Sequence, residues 1–180
     1  MTWVIFSHSG ESFGWSRRVC APRLSSRASA DVAAREIEKR VKAHSPHAKL
    51  EGFLVQKMER GLAEVILGYR RDPLVGPTIT VGLGGVLAEI YKDASTRLAP
   101  VSESEALQMI DEVKGLAVIR GYRNLPRGDI GALARAIAQF STLAHAMFTD
   151  VAEAEINPLL VKKDAEGVVA VDGLVVLAES

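Results

Sequence analysis

The sequence predicts an α+β protein, with a mainly antiparallel sheet flanked by helices. Three observations carry the prediction. Four short β-rich runs lie consecutively over residues 51–93, two capped amphipathic helices follow them, and two apolar runs around a turn close the chain. The order is therefore helix, four strands, two helices and a hairpin, with no internal repeat and no low-complexity segment.

The first helix is predicted over Ala30–Ala43, capped by Ser29, with Ala33, Ile37 and Val41 on one face. His44-Ser45-Pro46 ends it. "EGFLVQKM" (Glu51–Met58) and "LAEVILGYRR" (Leu62–Arg71) read as strands joined by a turn at Glu59-Arg60-Gly61. "DPLVGP" (Asp72–Pro77) has turn chemistry, and "TITVGL" then "VLAEIYKD" read as a further strand pair around Gly84-Gly85. Ser102-x-x-Glu105 is a capping box for a helix carrying Leu107, Ile110 and Val113 and stopped by Gly115. Asp129 caps a longer helix with Ile130, Leu133, Ile137, Phe140, Ala144 and Met147 along one face. "AEINPLLVKK" and "VVAVDGLVVL" flank "DAEG" (Asp164–Gly167) as a closing hairpin.

Residues 1–28 read differently. They hold both Trp, the only Cys, six Ser and four Arg, with a short strand at Trp3–Phe6 as their one regular feature. The expected organisation is thus an atypical segment over 1–28 and a domain over 29–180.

Bulk properties exclude several function classes. Lys plus Arg and Asp plus Glu both number 22, so no net field draws nucleic acid or an anionic membrane. The single Cys20 excludes an intrachain disulfide framework. No apolar run approaches the roughly 18 residues that cross a bilayer. "MTWVIFSHSG" does not read as a signal peptide, and a cytoplasmic location is expected.

Two constellations could carry chemistry. In the closing hairpin, Glu153, Glu155 and Asn157 alternate with Ala154 and Ile156 and share a strand face. Asp172 lies on the return strand. With the turn centred on Asp164–Ala165 it is directly opposite Asn157; centred one residue later, the two are diagonal neighbours. Either register brings the Cβ atoms to roughly 5–8 Å. Their oxygens could meet at one hard cation such as Mg²⁺, or form a solvated hairpin face. Asp172 favours the cation, because an acid between apolar runs is costly unless paired or metal-bound. The second constellation is Gly82, Gly84 and Gly85, with Glu89 beyond. It reads as a backbone cradle for an anion or as a plain turn, and its spacing is not a dinucleotide fingerprint. Glu64, Arg70, Arg71, Asp72 and Arg97 cluster around the same segments, and Arg suits phosphate oxygens. The four His and Cys20 show no zinc spacing and no nucleophile logic.

Taken in order, "EGFLVQKM", "AEVILGYRRDPLVGPTITVGLGGVLAEIYKDASTRLAP", "GYRNLP", "AEINPLLV" and "AVDGLVVL" resemble the ATP-grasp domain of the ADP-forming acyl-CoA synthetases, relatives of the succinyl-CoA synthetase β-subunit. The resemblance runs from Ile37 to Leu177 and implies the following assignments. Glu155, Asn157 and Asp172 hold Mg²⁺. Val55, Gln56 and Lys57 form the hinge strand at the adenine. Glu64, Asp72, Gly82, Gly84 and Gly85 contact ATP or ADP, while Glu89 and Arg97 lie on the phosphoryl-transfer path. The implied reaction is acyl-CoA + ADP + phosphate ⇌ acid + CoA + ATP through a phosphohistidine. CoA is held by a companion CoA-binding or ligase subunit or domain.

Departures accompany the likeness. The family's opening lobe, with its ATP-binding Lys and His-Lys-Ser-Asp-x-Gly-Gly-Val segment, has no match in residues 1–28, so an incomplete N-terminal lobe is expected. Asn124, Val75 and Gly173 stand where the family has Gly, Phe and Ala. A regulatory or scaffolding module of the same fold, or a structural domain without turnover, is the alternative reading.

Overall fold

The computed structural model describes residues 2–8, 20–24, 27–44, 46–47, 50–85, 93–121, 123, 125–145, 147 and 150–178. The chain forms two compact units, Met1–Met58 and Glu59–Ser180. The division falls after Met58 and not at the compositional change near Ala28.

In the first unit, β1 (Thr2–His8), β2 (Cys20–Leu24) and β3 (Leu50–Lys57) make a sheet of order β2-β1-β3, antiparallel throughout. Helix α1 (Arg27–His44) buries Ile37 and Val41, as their four-residue spacing requires. It begins three residues before the expected start. Its exposed side carries Glu36–Arg40 and Glu38–Lys42 pairs at 3.0 and 2.7 Å, one turn apart. The expected hairpin through Glu59-Arg60-Gly61 does not form. β3 pairs with β1 instead, and those three residues open the second unit.

The second unit is built on β4 (Ala63–Asp72), β5 (Gly76–Leu83), β6 (Ala94–Leu98), β7 (Val151–Val161), β8 (Val168–Ala170) and β9 (Gly173–Leu177). The strands run in the order β6-β5-β4-β7-β8, with β9 also on β7, and every pairing is antiparallel. β5 pairs with Ala94–Leu98, and of the expected strand "VLAEIYKD" residues 86–92 lie outside the described set while Asp93 O accepts from Leu83 N at 3.1 Å. Two-residue alternation sends Val65, Leu67 and Tyr69 of β4 and Ile79 and Val81 of β5 to one face. Helices α2 (Glu103–Glu112) and α3 (Ile130–Ser141) cover that face with Ala106, Met109, Ile110, Leu133 and Ile137. A 3₁₀ helix over Lys114–Ile119 adds Leu116 and Ile119.

Strand β7 departs from simple alternation. Val65 lies opposite Leu159, yet Leu67 lies opposite Ile156, so β7 holds one extra residue against β4 in this interval. The bulge contains Asn157–Pro158, a cis peptide, and proline cannot donate to a ladder. Its effect on the faces is decisive. Leu159 and Val161 enter the core while Glu153 and Glu155 stay exposed.

Both helix starts follow the sequence. Ser102 Oγ accepts from Glu105 N at 3.2 Å, and the Glu105 carboxylate accepts from Ser102 N at 2.8 Å, completing the capping box. Leu107, expected in the core, is 42% exposed; Ala106, Met109 and Ile110 take the buried face. Met147 is likewise exposed, because α3 ends at Ser141. No helix among the described residues is long and apolar enough to cross a membrane.

Asp129 caps α3 by accepting from Ala132 N at 2.8 Å, and its other oxygen accepts from Gly167 N at 3.0 Å in the closing turn. Donation from Ala132 N, against the opposing effect of burial and with help from Gly167 N, holds this carboxyl below the ordinary aspartate value. Asp129→Ala is expected to lower stability by about 1–2 kcal/mol in urea unfolding, since it removes a cap. The stabilisation by the carboxylate is fully present above about pH 4 and is lost as pH falls through the lower folded-state value. The wild-type advantage over Asp129→Asn should therefore shrink on acidification.

Candidate functional site

The second unit carries an open groove at the end where β4 begins and where β5 and β7 finish. The segment entering β4 is fastened to β7: Leu62 N donates to Val161 O at 2.7 Å. A Cβ on Gly61 would stand 2.9 Å from that same oxygen, so no larger residue fits there. On the other side Gly84 N donates to Glu64 O at 2.7 Å. The resulting groove holds about 630 Å³. Leu62, Leu83, Val118 and Leu160 give it apolar walls, while Glu59, Arg60 and Glu64 bring charge. The 3₁₀ helix bearing Val118 is held at its start by Asp93, whose carboxylate accepts from Lys114 N at 3.1 Å and Gly115 N at 2.6 Å. Gly115 itself lies against Leu83, with a Cβ there reaching 2.5 Å from Cδ2.

From the groove, the face of the sheet opposite the core runs along β4 through Ile66, Gly68 and Arg70. Gly68 lies between Glu155 of β7 and Thr80 of β5. Without a side chain at Gly68, these residues, Arg70, Glu153 and Leu174 line a cavity of about 220 Å³. Arg70 Nε lies 3.4 Å from Glu153 Oε1, with both side chains mostly exposed, a pair that is cheap to separate.

The register of the closing hairpin resolves the two alternatives left by the sequence. Val161 pairs with Val168 and Leu159 with Ala170, and beyond the break Ile156 pairs with Gly173. This is the turn centred on Asp164–Ala165, and it sets Asn157 directly opposite Asp172. Asn157 N donates to Asp172 O, and Val171 N donates to Pro158 O, both at 3.1 Å. Both strands are irregular at this level, β7 by its bulge and β8–β9 by the break at residues 171–172. Asn157 and Glu155 are exposed and Asp172 is half-buried. Among the described residues no three His, Cys, Asp or Glu side chains gather closely enough to hold a metal by themselves. A cation here would take the Asn157 amide with the neighbouring acids.

The other expected site residues are dispersed. Gly82 is inside the sheet, opposite Ile66 and Ala94. Gly84 has spent its N–H on Glu64, and a Cβ there would stand 2.9 Å from the Glu64 carbonyl. Gly85 has φ +83, a conformation that selects glycine. Packing and backbone conformation thus account for these glycines, and Gly84 offers no N–H to an anion. Asp72 closes the β4–β5 turn, accepting from Leu74 N at 2.8 Å and Val75 N at 3.1 Å. Those two donors hold its carboxyl below the ordinary value. Arg97 lies opposite buried Ile79, on the helix-covered face of the sheet. There it pairs with Glu112, which also accepts from Ser95 Oγ at 2.5 Å. Ser95 first, and Arg97 with it, keep the Glu112 carboxyl below its ordinary value. Arg97 is therefore not brought together with Glu155, Asn157 and Asp172.

Val55, Gln56 and Lys57 belong to β3 of the first unit, with Val55 and Lys57 exposed. Glu89 lies outside the described residues. Glu59, Leu160 and Val118 line the groove although nothing in their local sequence marks them. They meet only through contacts between segments far apart in the chain, where pattern reading has no signal.

Comparison with known proteins agrees with this architecture. Residues 20–177 match the ATP-grasp domain family, a match that begins upstream of the Ser29 boundary expected from composition. The chain is 42% identical over 144 residues to the ADP-forming acetate–CoA ligase I of Archaeoglobus fulgidus, covering 80% of this chain and 21% of that protein. It is 37% identical over 145 residues to the β subunit of ADP-forming acetate–CoA ligase I of Pyrococcus furiosus, covering 81% of this chain and 61% of that subunit. In three dimensions it superposes on the dinucleotide-forming acetyl-coenzyme A synthetase 1 of Ca. Korarchaeum cryptofilum, solved with coenzyme A, Ca-AMPCP and HgCl⁺. That superposition has a TM-score of 0.88 at 31% identity and covers 99% of this chain and 76% of the other. The chain spans about a fifth and three fifths of the two curated relatives, which are themselves enzymes. It belongs to the ATP-grasp domain family, in the group that contains the ADP-forming acetate–CoA ligases.

Proposed function

We propose that this chain binds a magnesium–adenine nucleotide and forms the nucleotide-binding part of an ADP-forming acid–CoA ligase in the cytoplasm. The observation that carries the reading is a single face of the sheet. An apolar groove at the end of the sheet, edged by Glu64, opens onto this face, which carries Glu155 and Asn157 set opposite Asp172.

The apolar walls suit a nucleobase, with Leu160 and Val118 excluding water from its faces. Glu64 at the rim is mismatched to phosphates, which it repels, and matched to sugar hydroxyls, which donate to a carboxylate. From Glu64 to Gly68 the strand advances about 13 Å at roughly 3.3 Å per residue. A nucleotide lying along β4 would therefore place its phosphates beside Gly68, Arg70 and the acids of β7. Two carboxylates there repel phosphate unless a cation intervenes, and amide and carboxylate oxygens are the donors that Mg²⁺ prefers. Asn157, Asp172 and Glu155 would hold Mg²⁺, which when bound neutralises the charge of the transferring phosphoryl group. Arg70, only loosely held by Glu153, can turn to a phosphate oxygen. The naming of a relative as a β subunit supports a companion subunit or domain that carries CoA and the acyl substrate.

Calorimetry with Mg-ADP and Mg-ATP tests the reading. The wild type should bind both, and more weakly with EDTA in place of Mg²⁺. In Asn157→Ala and Asp172→Ala that metal dependence should be lost, while melting stays cooperative. Equal heats in wild type and Asp172→Ala would remove the metal assignment. For Glu64→Gln, Mg-ADP affinity should fall about tenfold or more, the scale of hydrogen bonds to a charged group. The same substitution should leave 2′,3′-dideoxy-ADP almost unaffected, which separates a sugar contact from a general loss of structure.

A further inference from the structure

Glu59 stands at the groove, and Lys162 follows directly on β7 at the other end of the unit's sequence. Lys162 Nζ lies 2.7 Å from Glu59 Oε2, and both side chains are only 22% exposed. Arg70–Glu153, by contrast, is 65% and 53% exposed and longer at 3.4 Å. Partial burial weakens screening, so the Glu59–Lys162 pair has electrostatic weight that a surface pair lacks. The backbone around it is already fixed without the charges. Leu62 N bonds Val161 O, Gly61 packs on Val161, Asp129 N bonds Lys162 O and Lys162 N bonds Gly167 O. The ion pair is thus not required to hold the two segments together, and its consequence is for the groove.

Among the described residues the groove carries two acids, Glu59 and Glu64, and one cation, Arg60. With Lys162 engaged, Glu59 is neutralised and Arg60 balances Glu64. Removing Lys162 leaves these described residues one positive charge poorer toward an anionic ligand. We infer that Lys162 is a positioning residue that holds and neutralises Glu59, so that a polyanionic ligand can enter a groove lined by acids. This rests on the nucleotide reading above.

The test is calorimetry of the full chain at low salt, with Mg-ADP and with uncharged adenosine. Lys162→Gln should bind Mg-ADP severalfold more weakly, with the deficit shrinking as salt is raised, and should bind adenosine as the wild type does. Glu59→Gln should act in the opposite direction and tighten Mg-ADP severalfold. The double substitution should recover most of the loss seen in Lys162→Gln. A purely structural pair would weaken both ligands in both single variants, and that pattern overturns the inference. So does unchanged Mg-ADP affinity in Lys162→Gln. Should Lys162→Gln fail to fold, weaker Mg-ADP binding by Glu59→Gln overturns it equally. Absence of Mg-ADP heat in the wild type, by contrast, sinks the nucleotide reading itself and the inference with it.

Discussion

The bulge in β7 is the constraint on which the rest of the second unit depends. In an unbroken strand, Glu153, Glu155, Asn157, Leu159 and Val161 would all share a face. That arrangement would put two acids in the core or two large aliphatic residues in water. One extra residue at Asn157–Pro158 inverts the alternation midway. Leu159 and Val161 then pack with Val65, Leu67 and Ile119, while the acids remain outside. The neighbouring edge breaks at the same level, between β8 and β9, and the two irregularities bond to each other through Asn157 N and Val171 N. Strand interruptions of this kind re-aim side chains, and here the one in β7 separates the outward Glu155 and Asn157 from the inward Leu159 and Val161.

Electrostatics on the two faces of the sheet differ for the same geometric reason. On the helix-covered face, Arg97, Ser95 and Glu112 satisfy one another, and Asp93 closes the start of the 3₁₀ helix. These charges are used up in holding the edge strand to the helices. On the opposite face the Arg70–Glu153 pair is long and exposed, and two glutamates stand in succession along β7. A protein surface tolerates such crowding only because water solvates it. In the proposed reading, the same crowding would become an affinity for a cation once a phosphate chain displaced that water.

The connection between the units illustrates how ambiguous local chemistry can be. Glu59-Arg60-Gly61 has the composition of a hairpin turn, and the strands on either side have the right length. Yet β3 is taken by β1 of its own unit, so the same three residues serve as a passage into β4 and as one wall of the groove. Gly61 is there for its close approach to Val161 O and not for a turn. Gly84 and Gly115 behave alike: each is small because something distant in sequence lies against it.

Local interactions were therefore legible in the sequence by itself. The capping box at Ser102–Glu105, the cap at Asp129, the α1 face of Ile37 and Val41, and the approach of Asn157 to Asp172 across a short turn, though not which of two registers they take, all follow from groups within about fifteen residues of one another. The ordered motifs from Glu51 to Leu177 likewise carried the family. Tertiary structure alone decided which strand β3 and β5 would choose, on which face Arg97 would lie, and that Glu59 would meet Lys162. The physical reason is that strand pairing satisfies backbone hydrogen bonds that every strand offers alike. The choice among partners is then made by burial and register over the whole sheet, at separations where side-chain spacing along the chain carries no information.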